Sequence, residues 1–483
     1  MTIYVPRIAC FLILVFIQVF CFAAKGHAVH ISQTELEFVH LVNQVRTDPL
    51  PAVDEMGWST DNLADSGLLL GGMEPLELDD RLTQAAQEQS QEILNLNYYS
   101  HVSPDGVTPA QRLVDKGYHV FDSDQSLAIL TFRNFMSSRE AISSILGNLL
   151  TDEASSQKNR KLFNPVFRDI GVCMQSGEMD FGERMYSVYL LVVNVAVSKE
   201  YAVESALHQL INDLRQNPDY AYQSSMFSSA EREKSNDPYS SYLYPNNKLL
   251  AINAQLDRLA AIEHDKSVLS PVLTLADQET IENDVKSLIA AYDPQFLSIT
   301  EAKIQVDEKS SVWHKAGKLL DVLLHQETEN IDGPQHVLLA DLSEIGMHVA
   351  FESVKDADYA MLTIVAARPH KERSHVLGGV YAWSYQEDNK QVIEGVGVAG
   401  MGVEIQRTEN NNIVSRTWTD VLGRYQLPYK GAAYRLNLRE RNGKILNTRS
   451  QEAQEENRMV QFWTPVDNSE VDGMLFSDQT FIW

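Results

Sequence analysis

Cysteine is scarce in this chain of 483 residues, and its placement excludes a disulfide framework. Of the 3 cysteines, Cys10 and Cys21 fall in the first 28 residues, which have the pattern of a removable leader. The mature chain then keeps Cys173 alone, so it cannot form an internal disulfide and must be held together by its core. Cys173 lies in the apolar run IGVCMQ, which predicts a buried small residue rather than a reactive thiol.

Basic residues are also few. The sequence has 40 Lys and Arg against 66 Asp and Glu, a formal net charge of −26. Removing residues 1–28 leaves 38 basic against the same 66 acidic residues, or −28. This balance argues against nucleic acid or anionic lipid as the main partner, because both require a basic face. It favours solubility instead.

Only one long apolar run is present, and it lies at the start of the chain. Arg7 is the only charge before a run of 17 residues from Ile8 to Ala24, and the small residues Gly26 and Ala28 follow at the positions of a cleavage site. The pattern predicts a secretory signal at residues 1–28 and a secreted or periplasmic protein. The alternative is an uncleaved anchor, but the run is short for a membrane span, and no later segment is apolar enough for one.

Several catalytic signatures are missing. The sequence contains no G-x-S-x-G, no H-E-x-x-H and no Gly-rich phosphate loop. The residues therefore predict no cofactor.

The middle of the chain contains two similar stretches. ELEFVHLVNQVRTDPLPAV, which begins at Glu35, resembles ESALHQLINDLRQNPDYAY, which begins at Glu204. Later landmarks repeat in the same order at a nearly constant spacing of 169 to 175 residues, ending with Gly171 and Gly346. Loop insertions explain the small drift, so the chain is predicted to carry a duplicated unit, at residues 33–198 and 200–369. Helices open each unit and strands close it, which predicts an α+β fold with helices covering a mainly antiparallel sheet.

From about residue 375 the pattern becomes all-β. Short alternating runs are separated by Gly, Asn and Pro, and residues 375–465 are predicted to form a small β-sandwich followed by a tail at 466–483. The segments GGVYAWSYQ, EGVGV and TDVLGRY resemble the B-type or carboxypeptidase-regulatory-like modules of secreted bacterial proteins. Some of these modules bind calcium, but the loop with Glu387, Asp388, Asn389 and Glu394 is degenerate for that role, and solvated charge is favoured. Asp420 in TDVLG is predicted to be a turn residue whose carboxylate accepts backbone N–H groups.

The first unit resembles a CAP-superfamily domain of the bacterial secreted type. The similar segments are LVNQVRTDP, RLTQAAQEQSQEI, NYYSHVSPDGVTPAQRLVDKGY and NPVFRDIGV, between residues 33 and 198. The resemblance implies an α-β-α sandwich, so the fold class is α+β with two tandem CAP-like sandwiches followed by the all-β module. It also implies a concave cleft lined by two histidines and two acidic residues, which binds a divalent cation in some members.

This sequence departs from that ligand set. His101 matches the first histidine of the family pattern, but Gln125 stands where an acidic residue is expected and Lys158 where the second histidine is expected. In the second unit Glu301 is the candidate for the acidic position. An amide oxygen is a poor ligand and an ammonium group repels a cation, so no metal site is predicted.

The adjacent aromatic residues Tyr98 and Tyr99 are candidate ligand-binding residues of the cleft wall, and core packing is an equally good interpretation. His101 with Lys158 has no recognised catalytic pattern, and a structural role for His101 is favoured over general-base chemistry. The sequence therefore predicts an exported, non-enzymatic binding or adhesion protein with an extracellular or cell-envelope ligand. The alternatives are a hydrolase that acts on peptide, lipid or cell-wall material through the His101 cleft, and a lipid or sterol carrier.

Overall fold

The protein is described by a computed structural model. The structure describes residues 30–465 apart from 61–62, 64–65, 135, 156–159, 183, 217–247, 270–284, 308, 330–341, 355–356, 372 and 387–390. The predicted leader and the predicted C-terminal tail therefore lie outside the described residues. Within them, no helix is both long and apolar enough to cross a membrane.

The described helices of the first unit pack around a four-stranded sheet of order β1-β3-β4-β2. Its elements are α1 (Gln33–Thr47), α2 (Pro49–Glu55), β1 (Glu77–Leu78), α3 (Asp80–Leu96), α4 (Pro109–Asp115), β2 (Val120–Phe132), α5 (Ser138–Ser155), β3 (Asp169–Asp180) and β4 (Met185–Ser198). Local sequence explains where the helices begin. Ser32 and Glu35 form a capping box at α1, and Asp79 accepts the Arg81 and Leu82 amides at the start of α3.

The second unit has a sheet of the same form, with order β5-β7-β8-β6. Its described elements are α6 (Lys199–Gln216), β5 (Ala251–Ile252), α7 (Ala254–Leu269), β6 (Tyr292–Val306), α8 (Val312–Glu329), β7 (Glu344–Val354) and β8 (Ala357–Pro369). In both sheets the long strands are antiparallel and the short first strand is parallel to its neighbour. Both units are therefore α+β, as the sequence predicts.

Corresponding residues of the two units make the same contacts. In the first unit the Asn43 side chain donates to the Leu76 carbonyl at 2.9 Å and accepts from its amide at 2.7 Å. In the second, Asn212 does the same with Leu250, at 3.0 and 2.8 Å. Each asparagine thus fastens the opening helix of its unit to the chain that enters the first strand.

Two buried arginines repeat this pattern. Arg46 donates to the carbonyl of Glu74 at 2.9 Å, and Arg215 donates to that of Lys248 at 2.7 Å. Both guanidinium groups are fully buried. Since each bonds backbone carbonyls, its buried N–H groups are satisfied.

The Cys173 thiol is buried, as the sequence predicts. Cys173 lies on β3 with 2% of its surface exposed, and its Sγ is 3.1 Å from the Ser90 hydroxyl. Burial raises the pKa of the thiol to about 11. The thiolate that reactive cysteines require is therefore disfavoured.

Residues 375–465 form two further sheets that share a core. One consists of β9 (His375–Gln386), β10 (Gln391–Gly397), β13 (Arg424–Pro428), β16 (Arg458–Met459) and β17 (Phe462–Pro465), and the other of β11 (Gly402–Arg407), β12 (Ile413–Trp418), β14 (Tyr434–Arg439) and β15 (Ile445–Gln451). Val376 and Leu427 of the first sheet and Val403 and Leu436 of the second belong to one buried cluster. We refer to these two sheets as the β module.

The turn that contains Asp420 has the predicted form. The Asp420 carboxylate accepts the amides of Leu422 at 3.0 Å and Arg424 at 2.8 Å. Of the loop residues considered for calcium, Glu387, Asp388 and Asn389 lie outside the described residues, and Glu394 lies on β10.

The β module packs directly on the rest of the chain. The Trp418 indole N–H donates to the Gly71 carbonyl at 2.8 Å, and the Arg416 guanidinium donates to the Leu70 carbonyl. Trp418 also belongs to the large buried cluster that contains core residues of both α+β units. The module is therefore held against them by a continuous core.

Candidate functional site

The cleft candidate begins with the loop that carries His101. The loop is fixed at its start by Asn97, which ends α3 in a left-handed conformation with φ of 50° and exchanges hydrogen bonds with the Asp180 backbone at 3.0 and 2.8 Å. At its end the Thr108 hydroxyl caps α4 by accepting the Gln111 amide at 3.2 Å. His101 itself is exposed. A fixed loop therefore presents an exposed imidazole.

The imidazole contacts a neutral amide. His101 Nδ1 lies 3.0 Å from Oε1 of Gln125, which is 2% exposed. Because an amide oxygen only accepts, the imidazole donates in this contact. The Gln125 amide group is itself occupied, since its Nε2 donates to Gln89 Oε1 at 2.6 Å and to Asn194 Oδ1 at 2.8 Å.

Two side chains of this network also donate hydrogen bonds to backbone carbonyls. Gln89 donates to the His101 carbonyl at 2.9 Å, and Asn194 donates to the Leu82 carbonyl at 3.1 Å. Strand register explains the meeting of Gln125 and Asn194, which are directly paired on β2 and β4. His101 and Gln125 thus come together as the sequence suggests, above a buried network of uncharged side chains.

The described structure brings to Gln125 a lysine that the sequence interpretation did not single out. Lys158 lies outside the described residues. The Lys161 ammonium donates to the Gln125 carbonyl at 2.6 Å and lies 3.4 Å from a carboxylate oxygen of Asp124. Comparison with the family motifs did not single out Lys161, because such a comparison matches residue types. A hydrogen bond from a lysine side chain to the backbone carbonyl of a distant strand is not visible in a motif.

The two tyrosines have different surroundings. Tyr98 packs against the buried cluster that contains Ile93 and Val188, and its hydroxyl is buried without a partner among the described residues. Burial raises its pKa to about 12. Tyr99 is 51% exposed and donates to the Leu127 carbonyl at 3.0 Å. Tyr99 is therefore the better placed of the two for ligand contact.

In the second unit the position of Glu301 corrects the sequence interpretation. Asn194 pairs with Gly171 on one side and with Gln125 on the other. The equivalent glycine, Gly346, pairs with Val365, and Val365 pairs with Ile299. Ile299 therefore occupies the register of Gln125, and the exposed Glu301 lies two residues further along β6.

The second unit thus replaces the amides of Gln125 and Asn194 with two aliphatic side chains, Ile299 and Val365. The polar network of the first unit is lost at these positions. Across the described part of the chain, no group of three or more His, Cys, Asp or Glu side chains is arranged to hold a metal ion.

Comparison with known families gives one match. Residues 39–195 match the model of the cysteine-rich secretory protein family, CAP. This segment is a CAP domain. The match spans the His101 loop, Gln125 and Asn194, so the cleft candidate lies wholly within the CAP domain. A search of curated proteins gives no match.

Solved structures similar to the chain include three proteins. An outer surface protein of Borrelia burgdorferi is 15% identical with a TM-score of 0.21, over 36% of this chain and 99% of its own. An extracellular SCP-domain protein of Bacillus anthracis is 20% identical with a TM-score of 0.18, over 30% of this chain and 43% of its own. Na-ASP-1 is 8% identical with a TM-score of 0.22, over 71% of this chain and 91% of its own.

Proposed function

We propose that the protein is an exported, non-enzymatic binding protein whose CAP cleft recognises its ligand without a metal ion. One observation carries the proposal. The imidazole of His101 donates to the amide oxygen of Gln125, and the amide N–H groups of Gln125 are used by Gln89 and Asn194. Among the described residues, no carboxylate contacts His101 to orient it or to stabilise an imidazolium, as the aspartate of a catalytic triad does.

The donor set also argues against a divalent cation. Zinc in proteins prefers imidazole, thiolate and carboxylate ligands. In this cleft an imidazole nitrogen already donates to an amide, and the ammonium group of Lys161 adds positive charge beside β2. A ligand that offers hydrogen-bond donors and acceptors matches these groups better than an ion does.

Export and duplication belong to the same proposal. The leader pattern of residues 1–28 supports a secreted or periplasmic location. The repeated Asn and Arg contacts support residues 33–198 and 200–369 as copies of one unit, of which the second has lost its cleft polarity. We therefore place ligand recognition in the first unit and give the second a supporting role.

Elemental analysis of the purified mature protein tests the metal part of this proposal. We expect zinc well below one equivalent in the wild type, and the same amount in His101→Ala. The matched control is His325→Ala, because His325 is exposed on α8, outside the CAP domain. Stoichiometric zinc that His101→Ala loses and His325→Ala keeps would overturn the proposal.

The hydrolase alternative is tested with the same variants. Wild type, His101→Ala and His325→Ala are assayed on ester, peptide and cell-wall substrates. We expect equal, background rates for all three. A rate that falls at least tenfold in His101→Ala alone would replace the binding function with catalysis at this cleft.

A further inference from the structure

A second candidate site lies where the three parts of the molecule meet. A cavity of about 870 Å³ is lined by residues of the first unit, the second unit and the β module. This volume is in the range of small-molecule sites, which often form at domain interfaces. His101, Gln125 and Gln89 are not among its lining residues, so the cavity is separate from the CAP cleft.

The lining carries an excess of negative charge. Seven of its side chains are Asp or Glu and three are Arg. Arg424 is already paired with Asp420 at 3.1 Å, and Arg168 donates to the carbonyls of Pro165 and Phe167. The acidic groups therefore outnumber the cations available to them.

Comparing corresponding positions of the two units shows which acidic side chains make contacts that maintain the fold. Glu204 accepts the Val349 amide at 2.7 Å, as Glu35 accepts that of Met174 at 2.9 Å in the first unit. Because this contact occurs in both units, it is explained by the fold of the unit and does not point to a ligand. The same holds for Asp169, whose contact with a tyrosine hydroxyl recurs at Glu344.

Four unpaired acids of the lining remain: Glu74 and Glu77 are exposed, whereas Asp213 and Asp257 are partly buried and have no such explanation. At the spacings of the repeat, Asp213 corresponds to Gln44 and Asp257 to Thr83, both neutral. Neither aspartate forms an ion pair with a basic side chain of the described residues; Asp257 accepts the Met347 amide at 2.9 Å. Burial raises the pKa of Asp213 to about 6 and that of Asp257 to about 7. The Gln209 side chain and the Arg424 charge offset the effect of burial on Asp213 only in part, and no basic group of the described residues offsets it on Asp257. Neither of these partly buried carboxylates is therefore neutralised by an ion pair.

Other features of the lining suit a positively charged N–H donor. Tyr201, Tyr381, Trp418 and Tyr425 contribute aromatic rings, whose faces attract cations. Gln209 also lines the cavity, and its Oε1 is buried with no hydrogen-bond donor within the described structure. A bound amine would supply that donor.

We propose that this cavity binds a small organic amine with at least two amino groups, held by Asp213 and Asp257 among the aromatic rings. A single metal ion fits less well, because the described acids are nowhere grouped closely enough to share one. A flexible diamine can reach carboxylates that lie on two different helices, α6 and α7.

Isothermal titration of the mature protein with 1,3-diaminopropane, 1,4-diaminobutane, 1,5-diaminopentane and spermidine tests the proposal. 1-Aminobutane and 1,4-butanediol serve as probes with one charge and none. We expect saturable binding of at least one diamine, weaker binding of 1-aminobutane, no binding of 1,4-butanediol, and an affinity that falls with added salt. Absence of saturable binding by every amine would overturn the proposal.

The variants Asp213→Asn and Asp257→Asn locate the site. Each is expected to weaken diamine binding at least tenfold, while Asp115→Asn, which removes an exposed acid of α4, leaves it unchanged. If an Asn variant does not fold, Asp213→Gln or Asp257→Thr replaces it, since these carry the residues of the first unit. Undiminished binding in both folded variants would overturn the assignment of the site to Asp213 and Asp257. His101→Ala, which tests the CAP cleft, is expected to bind the diamine normally.

Discussion

His208 shows how one buried side chain connects the second unit to the β module. Its Nε2–H donates to the Leu250 carbonyl at 2.7 Å, which leaves Nδ1 to accept from the Arg424 guanidinium at 3.0 Å. Burial and the nearby Arg424 charge lower the pKa of His208 to about 3. The histidine is therefore neutral in the folded protein at ordinary pH.

This shift predicts an acid-sensitive contribution to stability. The folded pKa is below the ordinary value of 6.5, so the unfolded chain binds the proton more tightly. The contribution is present above pH 6.5 and is lost as the pH falls toward about 3, at up to about 1.4 kcal/mol per pH unit. His208→Gln, which keeps one donor and one acceptor, is expected to remove this dependence.

Urea unfolding at a series of pH values checks the prediction. The free energy of unfolding of His208→Gln is expected to fall less steeply below pH 6.5 than that of the wild type. His325→Gln, at an exposed histidine of α8, is the control and should follow the wild type. Parallel curves for wild type and His208→Gln would contradict the assignment.

For individual residues, the sequence predicted contacts within a motif better than it predicted which positions of the two units have the same strand register. The meeting of His101 and Gln125 was expected from the family pattern and is observed at 3.0 Å. Glu301, the sequence candidate for the acidic position of the second unit, lies two residues beyond Ile299, which has the register of Gln125, because the sequence alone does not show how the strands pair. Strand register identifies the corresponding residue, because each residue of a strand is paired with one residue of the neighbouring strand.

Among the elements, a strand glycine in each α+β unit lies directly against the backbone of a helix. A Cβ added to Gly171 would lie 2.1 Å from the Leu82 backbone carbon, and one added to Gly346 would lie 2.0 Å from that of Leu256. Each glycine thus lets the start of its helix, α3 or α7, contact the sheet directly. Backbone atoms cannot move aside as a flexible side chain can.

We therefore expect Gly171→Ala and Gly346→Ala each to lower the free energy of unfolding by about 1–3 kcal/mol or more, because the added methyl forces helix and sheet apart. Gly317→Ala is the matched control. Gly317 lies in α8 with nothing within 4 Å of an added Cβ, so alanine there should raise stability by about 1 kcal/mol. Thermal unfolding of the three variants measures the difference, and equal effects at all three positions would contradict this account.

The sequence predicted best the long helices whose apolar residues recur at the helical period. The opening helices at Glu35 and Glu204 carry strong apolar periodicity, and both α1 and α6 are observed. The two-residue strands β1 and β5 are defined by pairing with β3 and β7, which are distant in sequence. Such pairings leave no local pattern to detect.

For the whole molecule, the decisive feature is the packing of the β module on the α+β units. Trp418 is 4% exposed and bonds the Gly71 carbonyl across this contact. The junction cavity exists only because of this packing, since its lining is drawn from residues far apart in the chain. The sequence predicted the parts separately and carried no signal for their assembly.

Trp418→Ala is expected to separate the unfolding of the β module from that of the other units, because it removes both a buried ring and its hydrogen bond, at a cost of about 3–5 kcal/mol. In calorimetry we expect a lower-temperature transition in the variant that is absent from the wild type. Trp463→Ala is the control, since Trp463 is 39% exposed and lies beside Tyr381. A single transition at the wild-type temperature in Trp418→Ala would show that the contact contributes little.

The passage from the first unit to the second has a mechanical consequence. Strand β4 ends at Ser198 and α6 begins at Lys199, so no slack segment separates the sheet from the helix. A force applied along the chain at this junction is transmitted directly from the sheet to the helix. Extension under load at this junction must therefore begin with the rupture of packed contacts between the sheet and the helix.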